Sequence, residues 1–185
     1  MEYNIENVVE YCETLQKYIK KVGFDEKCEK IQEYIIKKLD KDFIYCFARA
    51  IEGADVERLE DALIKVQDAE YLYYFALDVK GANIEKLENA LLQTKNARYL
   101  CFFATDVKEA NIEKLENALL TTKNAKYLYY FAKKVKGANV EKIEDALIST
   151  RNVEYLHHFE KNIKGANVEK IENAIHNTFL NELVE

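Results

Sequence analysis

Apolar residues recur along this chain in two alternating stripes with helical spacing. Between residues 69 and 80 the stripe comprises Leu72, Phe75, Ala76 and Val79, which is the i, i+3, i+4, i+7 pattern of one helix face. In the next segment the stripe comprises Ile84, Leu87, Ala90, Leu91 and Thr94. Polar residues occupy most positions between these stripes. The pattern therefore predicts pairs of short amphipathic helices, which we call helix A and helix B.

This pair of stripes returns with a fixed period and without insertions. Residues 82–92 and residues 110–120 are identical, so one period is 28 residues, the offset between residue 82 and residue 110. The junction between helix A and helix B reads Gly53-Ala54-Asp55, Gly81-Ala82-Asn83, Glu109-Ala110-Asn111, Gly137-Ala138-Asn139 and Gly165-Ala166-Asn167. A unit of this size cannot bury its apolar face alone, so the period predicts a stack of helical hairpins.

Short polar residues precede every regular A helix. They are Asp40, Asp68, Asn96, Asn124 and Asn152, whose side chains can accept hydrogen bonds from a first helical turn. Asn83 should cap helix B in the same way, and helix A should end at Lys80-Gly81 with glycine in the left-handed conformation. Glu109 replaces that glycine in one repeat, so we expect it to be strained, with Glu109→Gly stabilising the protein by about 1 kcal/mol.

The pattern predicts twelve helices in six hairpins, an all-α fold that we interpret as a right-handed α-solenoid forming one domain over residues 1–185. Residues 1–40 form a degenerate N-terminal capping hairpin, residues 41–164 the regular repeats, and residues 165–185 a C-terminal capping helix running through Phe179, Leu180 and Leu183. Residues 41–178 resemble the two-helix repeats of HEAT and armadillo proteins, although the period is shorter. They are also similar to tandem-repeat proteins of AT-rich bacteria and their phages. The first resemblance implies an extended interaction surface.

The outward positions of helix A differ between repeats and include aromatic residues where solvent favours charge. Exposed aromatic residues surrounded by charges are typical of a protein-binding surface. We therefore expect a protein partner to contact Tyr74, Phe102, Tyr130, His158, Leu77, Lys133, Arg98 and Lys126. The alternative is that Tyr74, Phe102 and Tyr130 pack against adjacent repeats.

The outward positions of helix B are uniform and polar. One glutamate returns in each repeat at Glu57, Glu85, Glu113, Glu141 and Glu169, which indicates a solvated surface. The alternative is an acidic surface that imitates nucleic acid, although Lys86 and its equivalents should cancel much of its field. A phage-type inhibitor of a host defence nuclease, comparable to an anti-CRISPR protein and acting by occlusion or mimicry, is thus the alternative to a binding scaffold.

Catalytic motifs are absent from the sequence, and the repeated carboxylates indicate scaffold, so we expect neither an enzyme nor a cofactor. One cluster differs from the other repeats, namely His157, Glu160 and His176 near the C-terminal end. We interpret it as a polar end cap without a functional metal. Ligation by these three side chains, and with it a metal-dependent enzyme, is the alternative. Cys46 and Cys101 have no basic sequence neighbour that would lower a thiol pKa.

Charge and composition narrow the classes of partner. The formal net charge is -6 with both signs interspersed, which disfavours direct binding of nucleic acid. The first residues show no signal-peptide pattern, and the longest apolar run, Tyr71 to Leu77, is too short to span a bilayer. The four cysteines form no CxxC pair and suggest reduced thiols. We expect a cytoplasmic protein without membrane association.

Overall fold

The computed structural model describes the backbone of residues 5–182 and the side chains of residues 7–180. That range contains twelve α-helices and no strand, which confirms the predicted all-α repeat fold. The helices are α1 (Ile5–Val22), α2 (Glu26–Lys38), α3 (Lys41–Ala50), α4 (Val56–Val66), α5 (Ala69–Asp78), α6 (Ile84–Thr94), α7 (Ala97–Asp106), α8 (Ile112–Thr122), α9 (Ala125–Lys134), α10 (Val140–Ser149), α11 (Val153–Asn162) and α12 (Val168–Glu182). Leu183, expected in the last helix, lies outside the described residues.

The chain forms two compact units, Met1–Thr94 and Lys95–Glu185, which we call the N-terminal and the C-terminal unit. In the N-terminal unit the A helices α1, α3 and α5 pack on one another in sequence, as do the B helices α2, α4 and α6. In the C-terminal unit α7, α9 and α11 pack in sequence, and each contacts its own B helix. Each unit is thus a layer of A helices against B helices. The right-handed sense and the single domain over residues 1–185 stay predictions.

One phenylalanine per regular repeat forms the centre of each core. The set is Phe47 and Phe75 in the N-terminal unit, and Phe103, Phe131 and Phe159 in the C-terminal unit, all without solvent exposure. Leucines of the same stripes, such as Leu72 and Leu100, are equally buried. The apolar side chains that recur with the 28-residue period therefore pack in the same way in each repeat, because each helix covers the apolar face of the next.

The predicted N-caps are confirmed, whereas the predicted end of helix A is wrong. Asp68 accepts from the amides of Glu70 and Tyr71 at 3.1 and 3.2 Å, and Asn83 accepts from the amide of Lys86 at 3.1 Å. Helix α5 ends at Asp78, and Val79 follows in extended conformation with its amide donating to the Phe75 carbonyl. Valine or isoleucine holds this position after each of the five regular A helices, and a β-branched side chain favours extended backbone there.

The expected strain at Glu109 is also wrong. Gly81 has a φ of 88°, as predicted, but the φ of Glu109 is not positive. The turn nevertheless closes with the same hydrogen bond, from the Ala82 amide to the Val79 carbonyl and from the Ala110 amide to the Val107 carbonyl, both at 3.2 Å. A type I turn allows that bond with a negative φ where a type II turn needs glycine, so Glu109 fits the junction.

The left-handed non-glycine residues lie instead at the ends of the B helices. They recur once per repeat at Leu39, Gln67, Lys95, Lys123 and Arg151, with φ between 50° and 58°. Left-handed backbone is unfavourable for residues with a Cβ atom, and no glycine marks the position in the sequence. Sequence reasoning therefore missed the one place per repeat where the backbone is strained.

Candidate functional site

The outer A face is the surface formed by the repeat positions of Glu70, Tyr74 and Leu77. In the N-terminal unit Tyr74 is 36% exposed and Leu77 is 44% exposed, so both lie on the surface as predicted. The Tyr74 ring also contacts Tyr45 of the preceding repeat, with ring centroids 6.2 Å apart. The alternative of packing against an adjacent repeat therefore holds in part for Tyr74, while its ring also remains partly open to solvent, and contact with a partner stays a prediction.

The polar groups of this face are paired with one another in the N-terminal unit. The Tyr45 hydroxyl donates to Oδ2 of Asp78 at 2.5 Å, and the Tyr71 hydroxyl donates to Oδ1 of Asp42. Burial first, and then the hydrogen bond to Asp78, raises the pKa of Tyr45 to about 12. An open groove of about 490 Å³ lies between α3 and α5 beside these pairs. Two of its three tyrosine hydroxyls, those of Tyr45 and Tyr71, are already bonded to the protein's own carboxylates.

The outer A face of the C-terminal unit carries aromatic rings together with cations. Between α7 and α9 it forms an open groove of about 610 Å³ that includes the predicted residues Arg98, Phe102, Lys126 and Tyr130. Tyr130 is 38% exposed, whereas Phe102 is half-buried against its neighbours. Sequence reasoning missed Tyr127 and Lys134, which line the same groove, because their contribution depends on the helix packed beside them. We call this surface the cationic groove.

Cations in the cationic groove lie over aromatic rings. The Arg98 guanidinium carbon is 5.3 Å from the ring centroids of both Tyr99 and Phe102, and Nζ of Lys126 is 5.7 Å from that of Tyr127. The Phe102 and Tyr127 rings meet edge to face at an interplanar angle of 90°. These contacts orient the charged groups, because a cation is attracted to the face of an aromatic ring.

The remaining predicted residues, Lys133 and His158, lie beside this groove. Nζ of Lys133 donates to the Tyr129 hydroxyl at 2.8 Å, and the His158 ring lies 5.8 Å from the Tyr129 ring. His158 Nε2 is 3.9 Å from a Glu154 carboxylate oxygen. Both residues are exposed, so the structure brings them together with Tyr129 on the outer A face of the C-terminal unit.

A row of buried carboxylates in the B helices was not anticipated. Glu60, Glu116 and Glu144 are almost completely buried, and each accepts from the backbone amide that opens the next B helix, at 2.7, 2.6 and 2.7 Å. Gln32 makes the same contact with the Asp55 amide at 2.8 Å. The sequence signal was a polar residue returning beside the apolar stripe in every repeat. These side chains form hydrogen bonds that connect adjacent repeats.

The environment of Glu60 illustrates the electrostatic balance of this contact. Burial raises the pKa of the Glu60 carboxyl, while the Asn83 amide and the Lys86 ammonium act in the opposite direction. Nζ of Lys86 lies 3.6 Å from Glu60 and also pairs with Asp61, and Lys170 pairs in the same way with Glu144 and Asp145. Lys86 and Lys170 of the B layer are thus paired with carboxylates, which weakens the acidic field of that surface.

The histidine cluster is only partly assembled. Nδ1 of His157 lies 3.0 Å from Oε1 of Glu160, but among the described residues no group of three His, Cys, Asp or Glu side chains could hold a metal ion, so His176 does not complete a site. The other Glu160 oxygen, Oε2, is buried without a hydrogen-bond partner in the part of the chain that the structure describes. The pair is a polar substitution at the end of the A layer.

The cysteine thiols are free and favour the protonated form. Burial, followed by the proximity of Cys46, raises the pKa of Cys12 to about 12, and burial raises the pKa of Cys101 to about 11. A nucleophilic cysteine needs a lowered pKa, so these environments act against thiolate chemistry.

Comparison with known proteins gives no assignment. No protein-family model, curated protein or solved structure matches this chain. Among residues 5–182, no helix combines the length and the apolar character needed to cross a bilayer. Function is therefore inferred from the side chains of the outer A faces.

Proposed function

We propose that this protein is a non-enzymatic binding scaffold that contacts a protein partner through the outer A faces of its repeats. The observation that carries the proposal is the partial exposure of Tyr74 and Tyr130, at 36% and 38%, on a surface whose neighbouring positions are charged. Aromatic side chains provide large contact areas at low entropic cost, which makes them frequent anchors in protein interfaces.

The B layer supports the same choice by contrast. Its exposed positions repeat one acidic residue, and its lysines Lys86 and Lys170 already pair with carboxylates of the preceding repeat. A surface with these paired charges offers little apolar area for association. The outer A faces therefore contain the side chains best suited to a protein interface.

Site-specific photocrosslinking tests the proposal directly. A photoreactive p-benzoylphenylalanine replaces Tyr74 or Tyr130, and in matched controls it replaces Glu113 or Glu141 on helix B. The variants are expressed in the cells whose genome encodes the protein. Adducts should form with one protein from both A-face positions and not from the B-face controls. Adducts confined to Glu113 and Glu141, or to nucleic acid, would contradict the proposal.

Once the partner is identified, two triple variants compare the faces by calorimetry. Replacement of Tyr74, Phe102 and Tyr130 by alanine should weaken binding by at least about 2 kcal/mol, the scale of losing a central interface anchor. Replacement of Glu85, Glu113 and Glu141 by glutamine should leave the affinity nearly unchanged. Circular dichroism checks that both variants fold. Binding that survives the aromatic variant refutes the role of these rings.

A further inference from the structure

The cations of the cationic groove occupy positions that hold carboxylates in other repeats. Arg98 and Lys126 stand at the repeat position of Asp42 and Glu70, and Lys134 stands at that of Asp78. All three cations line one groove between α7 and α9. Asp106 also lines this groove, so the formal charge of its lining is +2, from three cations and one carboxylate. The groove is therefore a positive region of a protein whose net charge is -6.

These exchanges remove acceptors that the N-terminal unit uses internally. There the Tyr71 hydroxyl donates to Asp42, whereas Tyr127, at the repeat position of Tyr71, has Arg98 where Asp42 would stand. Within the described part of the chain the Tyr127 hydroxyl makes no hydrogen bond, and Arg98, Lys126 and Lys134 make no salt bridge. The groove therefore presents a tyrosine hydroxyl and three cationic side chains that are not paired with a carboxylate of the protein.

The helix dipole does not explain the cations at two of these positions. Arg98 and Lys126 lie in the first turns of α7 and α9, and those two turns contain no acidic residue. Asp42 and Glu70 occupy the corresponding first turns of α3 and α5. The positive end of a helix dipole favours an acidic side chain and disfavours a basic one. Cations that the helix dipole disfavours at these positions are consistent with a role in binding a negatively charged ligand.

The ring geometry favours carboxylates over nucleotides. Bases of single-stranded nucleic acid bind by stacking on open aromatic faces. Here Arg98 covers a face of Phe102, Lys126 covers a face of Tyr127, and the two rings are perpendicular. Carboxylates need no open ring face, since they pair with the cationic groups themselves and accept from a phenol.

We propose that the cationic groove binds an acidic peptide segment of the partner, with carboxylates at Arg98, Lys126 and Lys134 and at the Tyr127 hydroxyl. This inference rests on the proposed function. An apolar side chain of the segment packs between the rings of Phe102 and Tyr130. Packed helices are about 8 to 10 Å apart, so an extended segment that crosses α7 and α9 places acidic residues about three positions apart on Arg98 and Lys126.

Fluorescence anisotropy with defined probes tests this inference. The probes are a fluorescein-labelled copolymer of glutamate and tyrosine, and fluorescein-labelled oligothymidine as the nucleic acid comparison. The test variants are Arg98→Glu with Lys126→Glu, and the neutral pair Arg98→Gln with Lys126→Gln. The control is Lys108→Glu with Lys136→Glu, which makes the same charge reversal at exposed lysines of the same unit outside the groove.

The wild-type protein should bind the glutamate-tyrosine copolymer and not oligothymidine. Both groove variants should weaken copolymer binding by at least about tenfold, while the control stays within about twofold, because only the groove charges contact the probe. The melting temperature of the charge-reversed groove variant should equal or exceed that of the wild type, since its first helical turns become acidic.

Three outcomes would overturn the inference: no binding of the copolymer, equal losses in groove and control variants, or oligothymidine binding that depends on Arg98 and Lys126. The photocrosslinking experiment separates this failure from that of the proposed function. If adducts at Tyr74 and Tyr130 persist in the groove variants, the outer A face still binds a partner and only the acidic segment is wrong. If those adducts never form, the proposed function itself fails.

Discussion

Replacing Lys123 by glycine should stabilise the protein, although glycine usually weakens helical structure. Lys123 follows α8 with a φ of 50° and a ψ of 29°, which is left-handed backbone. Its side chain is exposed and takes part in no hydrogen bond or ion pair within the described residues. The substitution therefore removes the steric cost of a Cβ atom in left-handed backbone without removing a side-chain contact.

The magnitude follows from two opposing effects. Left-handed backbone costs a residue with a Cβ atom about 1 to 2 kcal/mol, and glycine does not incur that cost. Glycine also gives the unfolded chain more freedom, which opposes folding by about 0.4 to 1 kcal/mol. The net gain is thus about 0.5 to 1 kcal/mol, which corresponds to a rise of about 2 °C in melting temperature for a protein of this length.

Urea unfolding followed by circular dichroism measures the free energy of unfolding of each variant. Lys95→Gly should show a similar gain, since the φ of Lys95 is also 50°. Gln67→Gly should gain less, because it removes the hydrogen bond from the Gln67 side-chain amide to the Ile64 carbonyl, which is 2.7 Å long. Glu109→Gly is the matched control and should lower stability, because Glu109 has no positive φ. A stabilising Glu109→Gly together with a destabilising Lys123→Gly would refute this explanation.

Two further predictions concern the contacts that join helices. Glu116→Ala should destabilise the protein by about 1.5 to 3 kcal/mol in urea unfolding, since the Asn139 amide loses the hydrogen bond to the buried Glu116 carboxylate. Glu116→Gln should cost less, because Gln32 shows that a neutral amide oxygen fits, and equal losses would contradict this. Hydrogen bonds, first from the Tyr18 hydroxyl and then from the amides of Cys28 and Lys27, lower the pKa of Asp25 from 3.8 to about 2. The contribution of the ionised Asp25 to stability is therefore present above pH 3.8 and is lost as the pH falls through 2. Asp25→Asn should flatten that acid limb in melting curves, and an unchanged limb would contradict the assignment.

The candidate site was only partly predictable from the chain. A helical wheel places Tyr74 and Tyr130 on the outer A face, because that depends only on helical spacing. The roles of Tyr127 and Lys134 depend on the packing of α9 beside α7, and helical spacing within one helix does not contain that information. The buried Glu60 was missed for a similar reason, since its partner is the Asn83 amide of the next repeat.

The sequence by itself determined the helices, their N-caps and the repeated core, because each follows from interactions within a few residues or from a strict period. Tertiary structure decided which backbone positions are left-handed and which polar groups are buried. Glu109 and Lys123 show this for the backbone, since turn geometry and the helix end, and not residue type, set their φ values. The Tyr127 hydroxyl shows it for the surface. Tyr71 bonds to Asp42 of the preceding repeat, whereas Tyr127 has Arg98 at the corresponding position, so a substitution in one repeat alters the hydrogen bonding of its neighbour.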